Sequence, residues 1–211
     1  MNTTKNAPLI DAERIENAMT YKSYFNLLET LLAEGKTTGE NQSEAMLNYA
    51  KMNIQRMKRL DKTIVLSEEL KQSITEIREN KLIFLVITEG WCGDAAQNIP
   101  LLNKIAEASP GIDLKLILRD ENLDIMDQFL TNGGRSIPKL IVLDGENFEV
   151  LGSWGPRPAA AQQMVADFKK EDQGDFQEFV KQLQLWYAGN KTSSQQAELK
   201  NLLPQWLSKK Q

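Results

Sequence analysis

The sequence predicts an α/β fold, in which helices flank a central β-sheet and an additional helical segment precedes the sheet. Two patterns support this prediction. The continuous apolar run Leu82 to Ile87 is typical of a strand that is buried on both faces. From residue 81 onward, strand and helix patterns alternate, which is the order of a layered α/β domain. Before that point, apolar residues recur at helical spacing, which predicts the additional helices.

The composition is that of an ordinary globular protein. The chain has 211 residues, of which 41% are hydrophobic and 26% charged, and its net charge is −4. A mildly acidic chain has no general attraction to nucleic acid or anionic membranes, so neither is an expected partner. The densest basic stretch, Lys51 to Lys62, is interpreted as a solvated helix face.

The N-terminus suggests no export signal. It lacks the long apolar stretch of a signal peptide, and the longest apolar run of the chain is far too short to cross a bilayer. We therefore expect a cytoplasmic location, with which a free cysteine is compatible.

Residues 1–60 are expected to form a helical extension packed on the core. The first 18 residues or so look like a loosely ordered lead-in. Helices are predicted for Tyr21 to Ala33 and for Ser43 to Leu60, where Ser43 can cap the first turn. A further helix is predicted from Ser67 to about Asn80, at the start of the next domain.

Residues 61–188 carry the alternating pattern of the main domain. Four strands are predicted, at Leu82–Ile87, Leu114–Leu118, Lys139–Leu143 and Phe148–Leu151, and three helices, at Gly93–Ala108, Leu123–Leu130 and Ala159–Tyr187. Pro100 lies inside the first of these helices and should kink it, because proline removes a backbone hydrogen bond. Gly174 is placed to divide the last helix in two.

The C-terminal tail, residues 189–211, is polar until Leu202, Leu203 and Trp206. It is expected to form one short helix that either packs back on the domain or touches a partner.

The chain contains one cysteine and no histidine. This excludes an intrachain disulfide, multi-cysteine metal sites and catalysis by Ser-His-Asp or Cys-His groups. No motif suggests a carboxylate-only metal site. We therefore expect neither a metal nor a cofactor.

The surroundings of Cys92 resemble those of a known active site. Trp91-Cys92-Gly93 follows the first predicted strand and opens a predicted helix, and Pro100 lies eight residues after Cys92. Ile137-Pro138 precedes the third strand, with Pro138 46 residues after Cys92. Together these features resemble the thioredoxin-like superfamily, over roughly residues 60–187. The longer string Gly90 to Asp94 is similar to a divergent bacterial branch that has an extra helical N-terminus.

The resemblance implies a thioredoxin-like fold with a mixed sheet, in which Cys92 opens the active-site helix and a cis-proline at Pro138 faces it. The family's chemistry implies thiol–disulfide exchange in cell redox homeostasis, with Cys92 as the nucleophile. A helix N-terminus favours thiolate there. Other residues are expected to shape the site or position the partner: Trp91, Gly93, Asp94, Ala95, Ile137 and Pro138. By analogy with the family, Arg135 is the nearest basic residue of its loop and is expected either to stabilise the thiolate or to bind a carboxylate.

Three departures argue against ordinary thioredoxin activity. Ala95 stands where the family has its resolving cysteine, so a mixed disulfide cannot be released from within the chain. Val86 stands where thioredoxins have a buried acid. Asp94 adds a negative charge that opposes thiolate formation.

Three functions therefore stay open. Cys92 is either a monothiol that relies on an external resolving thiol, an inert remnant on a peptide-binding or adaptor module, or a redox sensor that is oxidised to sulfenic acid. The first would have protein thiols or disulfides, or a low-molecular-weight thiol as co-substrate, for partners. The sequence leaves the oligomeric state open.

The loop from Trp154 to Pro158 has two interpretations. It is either a helix-entry turn with a packed tryptophan, or a specificity element beside Cys92 that acts through Trp154 and Arg157.

Overall fold

The computed structural model describes residues 10–77, 80–170 and 174–210, and it confirms the predicted α/β class. Four strands form one mixed sheet in the order β2-β1-β3-β4. The strands are β1 (Leu82–Thr88), β2 (Ile112–Leu118), β3 (Lys139–Asp144) and β4 (Val150–Trp154). β1 pairs parallel with β2 and antiparallel with β3, and β4 pairs antiparallel with β3.

Strand β1 and helix α5 (Gly93–Ala108) form the frame of the site. All seven residues of β1 are buried, because the strand has neighbours on both edges and helices on both faces. Helix α5 spans the predicted residues and contains Pro100. The next helix, α6 (Leu123–Met126), ends earlier than predicted, and the chain then turns into a small bridge between Thr131 and Gly134.

Within residues 10–77, four helices precede the sheet: α1 (Ala12–Asn17), α2 (Tyr21–Ala33), α3 (Glu44–Thr63) and α4 (Glu68–Thr75). Helix α1 lies within the first 18 residues, where a loosely ordered lead-in was expected. Its N-cap Asp11 accepts a hydrogen bond from the Arg14 N–H at 3.0 Å, and Ile10 and Ile15 are buried. Part of the predicted extension of α4 toward Asn80 lies at residues 78–79, outside the described residues.

In the part of the chain described after the sheet there are three helices: α7 (Ala159–Lys170), α8 (Phe176–Asn190) and α9 (Ser193–Leu207). The single long helix predicted for Ala159 to Tyr187 is therefore two helices, and Gly174 lies between them, as expected for a helix breaker. Among the described residues, no helix is long and apolar enough to cross a membrane.

Helix α9 belongs to the main core. Leu199 and Leu203 are fully buried, and Trp206 is 3% exposed. The Trp206 ring meets the ring of Phe84 on β1 edge-on, with 6.4 Å between centroids, and it lies against Gly152 of β4. The C-terminal segment thus covers one face of the sheet.

Helices α7 and α8 have a separate apolar cluster. Ala161 and Val165 of α7 pack against Leu183 and Tyr187 of α8. We call this pair of helices the α7–α8 hairpin. Because its apolar cluster does not merge with the main core, a cavity remains between the two.

Candidate functional site

Cys92 lies between β1 and α5, and its sulfur is engaged on two sides. It is 8% exposed. The Cys92 thiol donates a hydrogen bond to the Ile137 carbonyl at 3.3 Å, and Sγ accepts one from the Ala95 N–H at 3.4 Å. The Ile137–Pro138 peptide bond is cis. The fold thus brings together Cys92 and Ile137, which are 45 residues apart in sequence.

Burial keeps the thiol protonated. Burial and, to a lesser extent, the negative charge of Asp94 raise the pKa of Cys92 to about 12. The Ala95 N–H and the positive charge of Arg157 act in the opposite direction, but they are weaker. The helix N-terminus does favour the thiolate here, but loss of solvation outweighs it.

Asp94 ties α5 to the C-terminal part of the chain. Its carboxylate is 6% exposed and contacts the Arg157 guanidinium at 2.6 Å. The Tyr187 hydroxyl donates to Asp94 Oδ1 at 2.9 Å. Burial raises the pKa of Asp94, and Arg157 lowers it. Asp94 therefore joins three segments as well as opposing the thiolate.

Replacing Asp94 by Asn is expected to lower the pKa of Cys92. The amide keeps an acceptor for Tyr187 but removes the negative charge that disfavours the thiolate. The pH profile of iodoacetamide alkylation should move to lower pH. Asp127→Asn is the matched control, because Asp127 is an exposed carboxylate paired with Arg135, and it should leave the profile in place. A profile that does not move in Asp94→Asn would contradict this role.

A cavity of about 540 Å³ lies beside Cys92. One wall is the turn from Trp91 to Asp94 together with Ser136 and Ile137. The opposite wall is the apolar side of the α7–α8 hairpin, with Val165, Phe168, Phe176, Phe179, Val180 and Leu183. The Phe168 and Phe179 rings stack at 4.2 Å between centroids. We call this cavity the Cys92 groove.

Polar contacts hold the α7–α8 hairpin over the groove. The Gln97 side chain on α5 donates to Gln184 Oε1 on α8 at 2.8 Å, and Tyr187 reaches Asp94 as described. These polar contacts fix the spacing between hairpin and core.

A larger cavity, of about 630 Å³, lies between α1 and β2. It contains none of the site residues predicted from the sequence, and polar side chains such as Asp11 and Arg14 form much of its rim. The Cys92 groove is therefore the candidate site.

Arg135 and Arg157, the two arginines that the sequence assigned to the site, take different positions in the fold. Arg157 reaches Asp94 and acts on Cys92. Arg135 lines the groove but pairs with Asp127 at 2.6 Å. Arg157 is therefore the basic residue that favours the thiolate, in the role expected of Arg135.

Trp154 does not line the groove. Its side chain is 7% exposed, and its indole N–H donates to Glu198 of α9 at 2.7 Å. This placement fits the packed-tryptophan interpretation of the loop. Trp91, by contrast, lines the groove, and the Arg119 guanidinium lies 5.0 Å from its ring centroid.

Sequence reasoning missed the residues that α3 and α8 contribute to the groove, above all Arg56 and Gln184. Arg56 lies in the basic stretch that was interpreted as a solvated face, yet it is half-buried. The α3 helix shows a mixed polar pattern there, which gives no signal that one of its basic residues faces a cavity. In the described part of the chain, no three Cys, Asp or Glu side chains come together as metal ligands would.

Comparisons with known proteins agree with the fold. A family model described as thioredoxin matches residues 39–169, more than half of the chain. Among solved structures, an HIV epitope scaffold is 20% identical with a TM-score of 0.52, and the match covers 88% of this chain and 98% of the scaffold. A Pseudomonas aeruginosa protein of unknown function is 24% identical with a TM-score of 0.46, over 73% of this chain and 89% of that protein. No curated protein gives a significant match.

Proposed function

Since the chain belongs to the thioredoxin family, we propose that it is a redox-inactive binding module that holds a peptide segment in the Cys92 groove. One observation carries this proposal. The thiol of Cys92 is buried and hydrogen-bonded to the Ile137 carbonyl, while one wall of the groove beside it, on the α7–α8 hairpin, is apolar.

Thiol–disulfide exchange needs a thiolate. Its sulfur attacks one sulfur of a disulfide, a new S–S bond forms, and the other sulfur leaves as a thiolate. At Cys92 the attacking thiolate is disfavoured by burial and by Asp94. The resulting mixed disulfide would also persist, because Ala95 supplies no second thiol. Both steps of a catalytic cycle are therefore unfavourable.

The groove has the properties of a peptide site. Ser136 and Ile137 line it just before the cis bond, and a backbone segment at the edge of a groove is where an extended peptide can add hydrogen bonds. Its volume of about 540 Å³ is large enough for several side chains of a bound segment. The phenylalanines of the hairpin supply apolar surface opposite that backbone.

Making the apolar wall of the groove polar should reduce peptide binding. Val180→Gln replaces a half-buried apolar wall residue by a polar one, and we expect at least about a fivefold loss of affinity, since burial of one aliphatic side chain contributes roughly 1.5 kcal/mol or more. The readout is retention of a pool of capped pentapeptides on the immobilised full chain.

The control for this experiment is Lys181→Gln, which changes an exposed neighbour on the same helix and should leave retention unchanged. Cys92→Ala in the same assay should change retention by less than about threefold, because only the thiol is removed. Equal retention by Val180→Gln and wild type would contradict the placement of the binding site. A pool that wild type fails to retain would contradict the binding function itself.

Monothiol exchange with an external resolving thiol is the second candidate. It is favoured by the Ala95 N–H, which donates to Sγ at 3.4 Å, and by the position of Cys92 in the groove wall. In that case the wild-type chain would form a mixed disulfide with glutathione disulfide at neutral pH, and Cys92→Ala would lose the activity.

A further inference from the structure

The Cys92 groove is rich in positive charge, although the chain as a whole is acidic, with a net charge of −4. Its cationic residues are Arg56, Arg119, Arg135, Arg157 and Lys169. Among the residues that the structure describes, Asp94 is the one carboxylate in the lining, and it already pairs with Arg157. The groove thus presents more positive than negative charge to whatever enters it.

Most of the arginines have a partner within the fold. Arg119 pairs with Asp120 at 2.8 Å, and Arg135 pairs with Asp127 at 2.6 Å. Arg56 differs from both. Within residues 10–77, 80–170 and 174–210, no carboxylate lies within 4.0 Å of its guanidinium.

Arg56 is held in place by a buried amide. Its Nη1 donates to Asn53 Oδ1 at 2.7 Å. Asn53 is 1% exposed, and its Nδ2 donates to the Gly90 carbonyl at 2.9 Å. The guanidinium is therefore anchored through Asn53 to the turn that carries Cys92. A cation that is positioned in advance costs little additional ordering when an anion binds. Asp94, which pairs with Arg157, also acts on Arg56 through its negative charge.

The positions of Arg56 and of the apolar wall indicate which chemical groups a ligand of the groove would carry. Arg56 Nη1 lies 3.8 Å from the point that a Cβ on Gly93 would occupy, so the charge stands at the first turn of α5, next to Cys92. The phenylalanines of the hairpin lie on the opposite wall. A ligand that combines apolar side chains with an anionic group would complement both features of the lining. The planar fork of a guanidinium matches the two oxygens of a carboxylate.

We propose that the groove binds a peptide segment in which an acidic residue is flanked by apolar residues, and that Arg56 holds the carboxylate. This inference rests on the proposed function, because it names the ligand class of the same groove. The flanking apolar side chains pack on Phe168 and Phe179, and the peptide backbone runs past Ile137.

Three pools of capped pentapeptides test the proposal. The central residue is Glu, Gln or Lys, and the four flanking positions are drawn from Ala, Ser, Val, Leu, Phe and Tyr. Because both ends are capped, the central residue is the source of charge. Each pool is passed over the immobilised full chain, and retained peptides are quantified by mass spectrometry.

We expect the Glu pool to be enriched at least about tenfold over the Gln pool, as a charge-assisted hydrogen bond allows. The Lys pool should be excluded. Retained sequences should be rich in Leu and Phe beside the Glu, and the preference should weaken as salt is added.

Arg56→Gln should abolish the preference for Glu, whereas Arg59→Gln, an exposed arginine on the same helix, should retain it. Arg56→Lys keeps the charge and should retain part of the preference, so the proposal stays testable if Arg56→Gln folds poorly. Equal retention of the Glu and Gln pools would overturn this inference and leave the binding function intact. Retention of none of the pools would overturn the binding function. If Arg56→Gln and Arg59→Gln lost the preference for Glu to the same extent, the assignment of this preference to Arg56 would be overturned.

Discussion

Trp206→Ala is expected to lower the free energy of unfolding by about 3–5 kcal/mol, the usual cost of removing a buried tryptophan from a core. Trp206 is 3% exposed, packs edge-on against Phe84 of the central strand and lies against Gly152. The free energy of unfolding falls for two reasons: apolar burial is lost, and a cavity remains that the rigid sheet cannot close. Urea or guanidinium unfolding, followed by circular dichroism, measures it.

The control for Trp206 is its neighbour. Gln205→Ala changes an exposed residue of the same helix and should alter stability by less than about 0.5 kcal/mol. If Trp206→Ala cost less than about 1 kcal/mol, α9 would not be part of the main core, and the C-terminal segment would instead be available to a partner.

Cys92 in the native chain is expected to react with iodoacetamide at pH 7.5 at least about a hundredfold more slowly than in the unfolded chain. A pKa of about 12, against an ordinary value of 9.0 for a cysteine thiol, reduces the thiolate fraction roughly a thousandfold. The greater nucleophilicity of a more basic thiolate restores about 15- to 30-fold of this. Burial of the sulfur slows the reaction further.

The same chain in denaturant is the reference for this rate, and because it has one cysteine, every adduct reports on Cys92. A native rate within about tenfold of the unfolded rate would mean that the thiol is accessible and ionised to an ordinary degree.

The segment around Cys92 was the most predictable part of the molecule. The apolar run of β1, the Trp-Cys-Gly turn and the helix with Pro100 are local signals, and α5 spans the residues that they predict. The approach of Ile137 to Cys92 followed from the family resemblance. Periodicity alone would not have placed two segments 45 residues apart in contact.

The contacts that decide the chemistry were not predictable in the same way. Asp94 pairs with Arg157 and Tyr187, and Arg56 is held by Asn53, through polar groups that leave no periodic pattern. The state of the thiol depends on its burial in the main core, which is a tertiary property. A helix N-terminus suggested a thiolate from the sequence, but desolvation is the larger effect in the fold.

Helix α9 illustrates a second limit. Its first half reads as polar, yet Gln195 and Gln196 are buried. The Gln196 side chain accepts from the Ser67 N–H at 2.7 Å and donates to the Val65 carbonyl at 3.1 Å. The hydropathy pattern therefore predicted burial only for the end of the helix, at Leu202 to Trp206. It gave no sign that Gln195 and Gln196 are buried, because hydrogen bonds compensate the burial of their amides.

The most direct test of whether this thioredoxin-family chain works without redox chemistry is intact-mass analysis of the native protein after incubation with glutathione disulfide at neutral pH. The buried, protonated thiol predicts an unmodified chain, whereas the chain unfolded in denaturant should acquire the glutathione adduct readily. Formation of the adduct on the native protein, at a rate close to that of the unfolded chain, would contradict the account and establish Cys92 as a reactive monothiol.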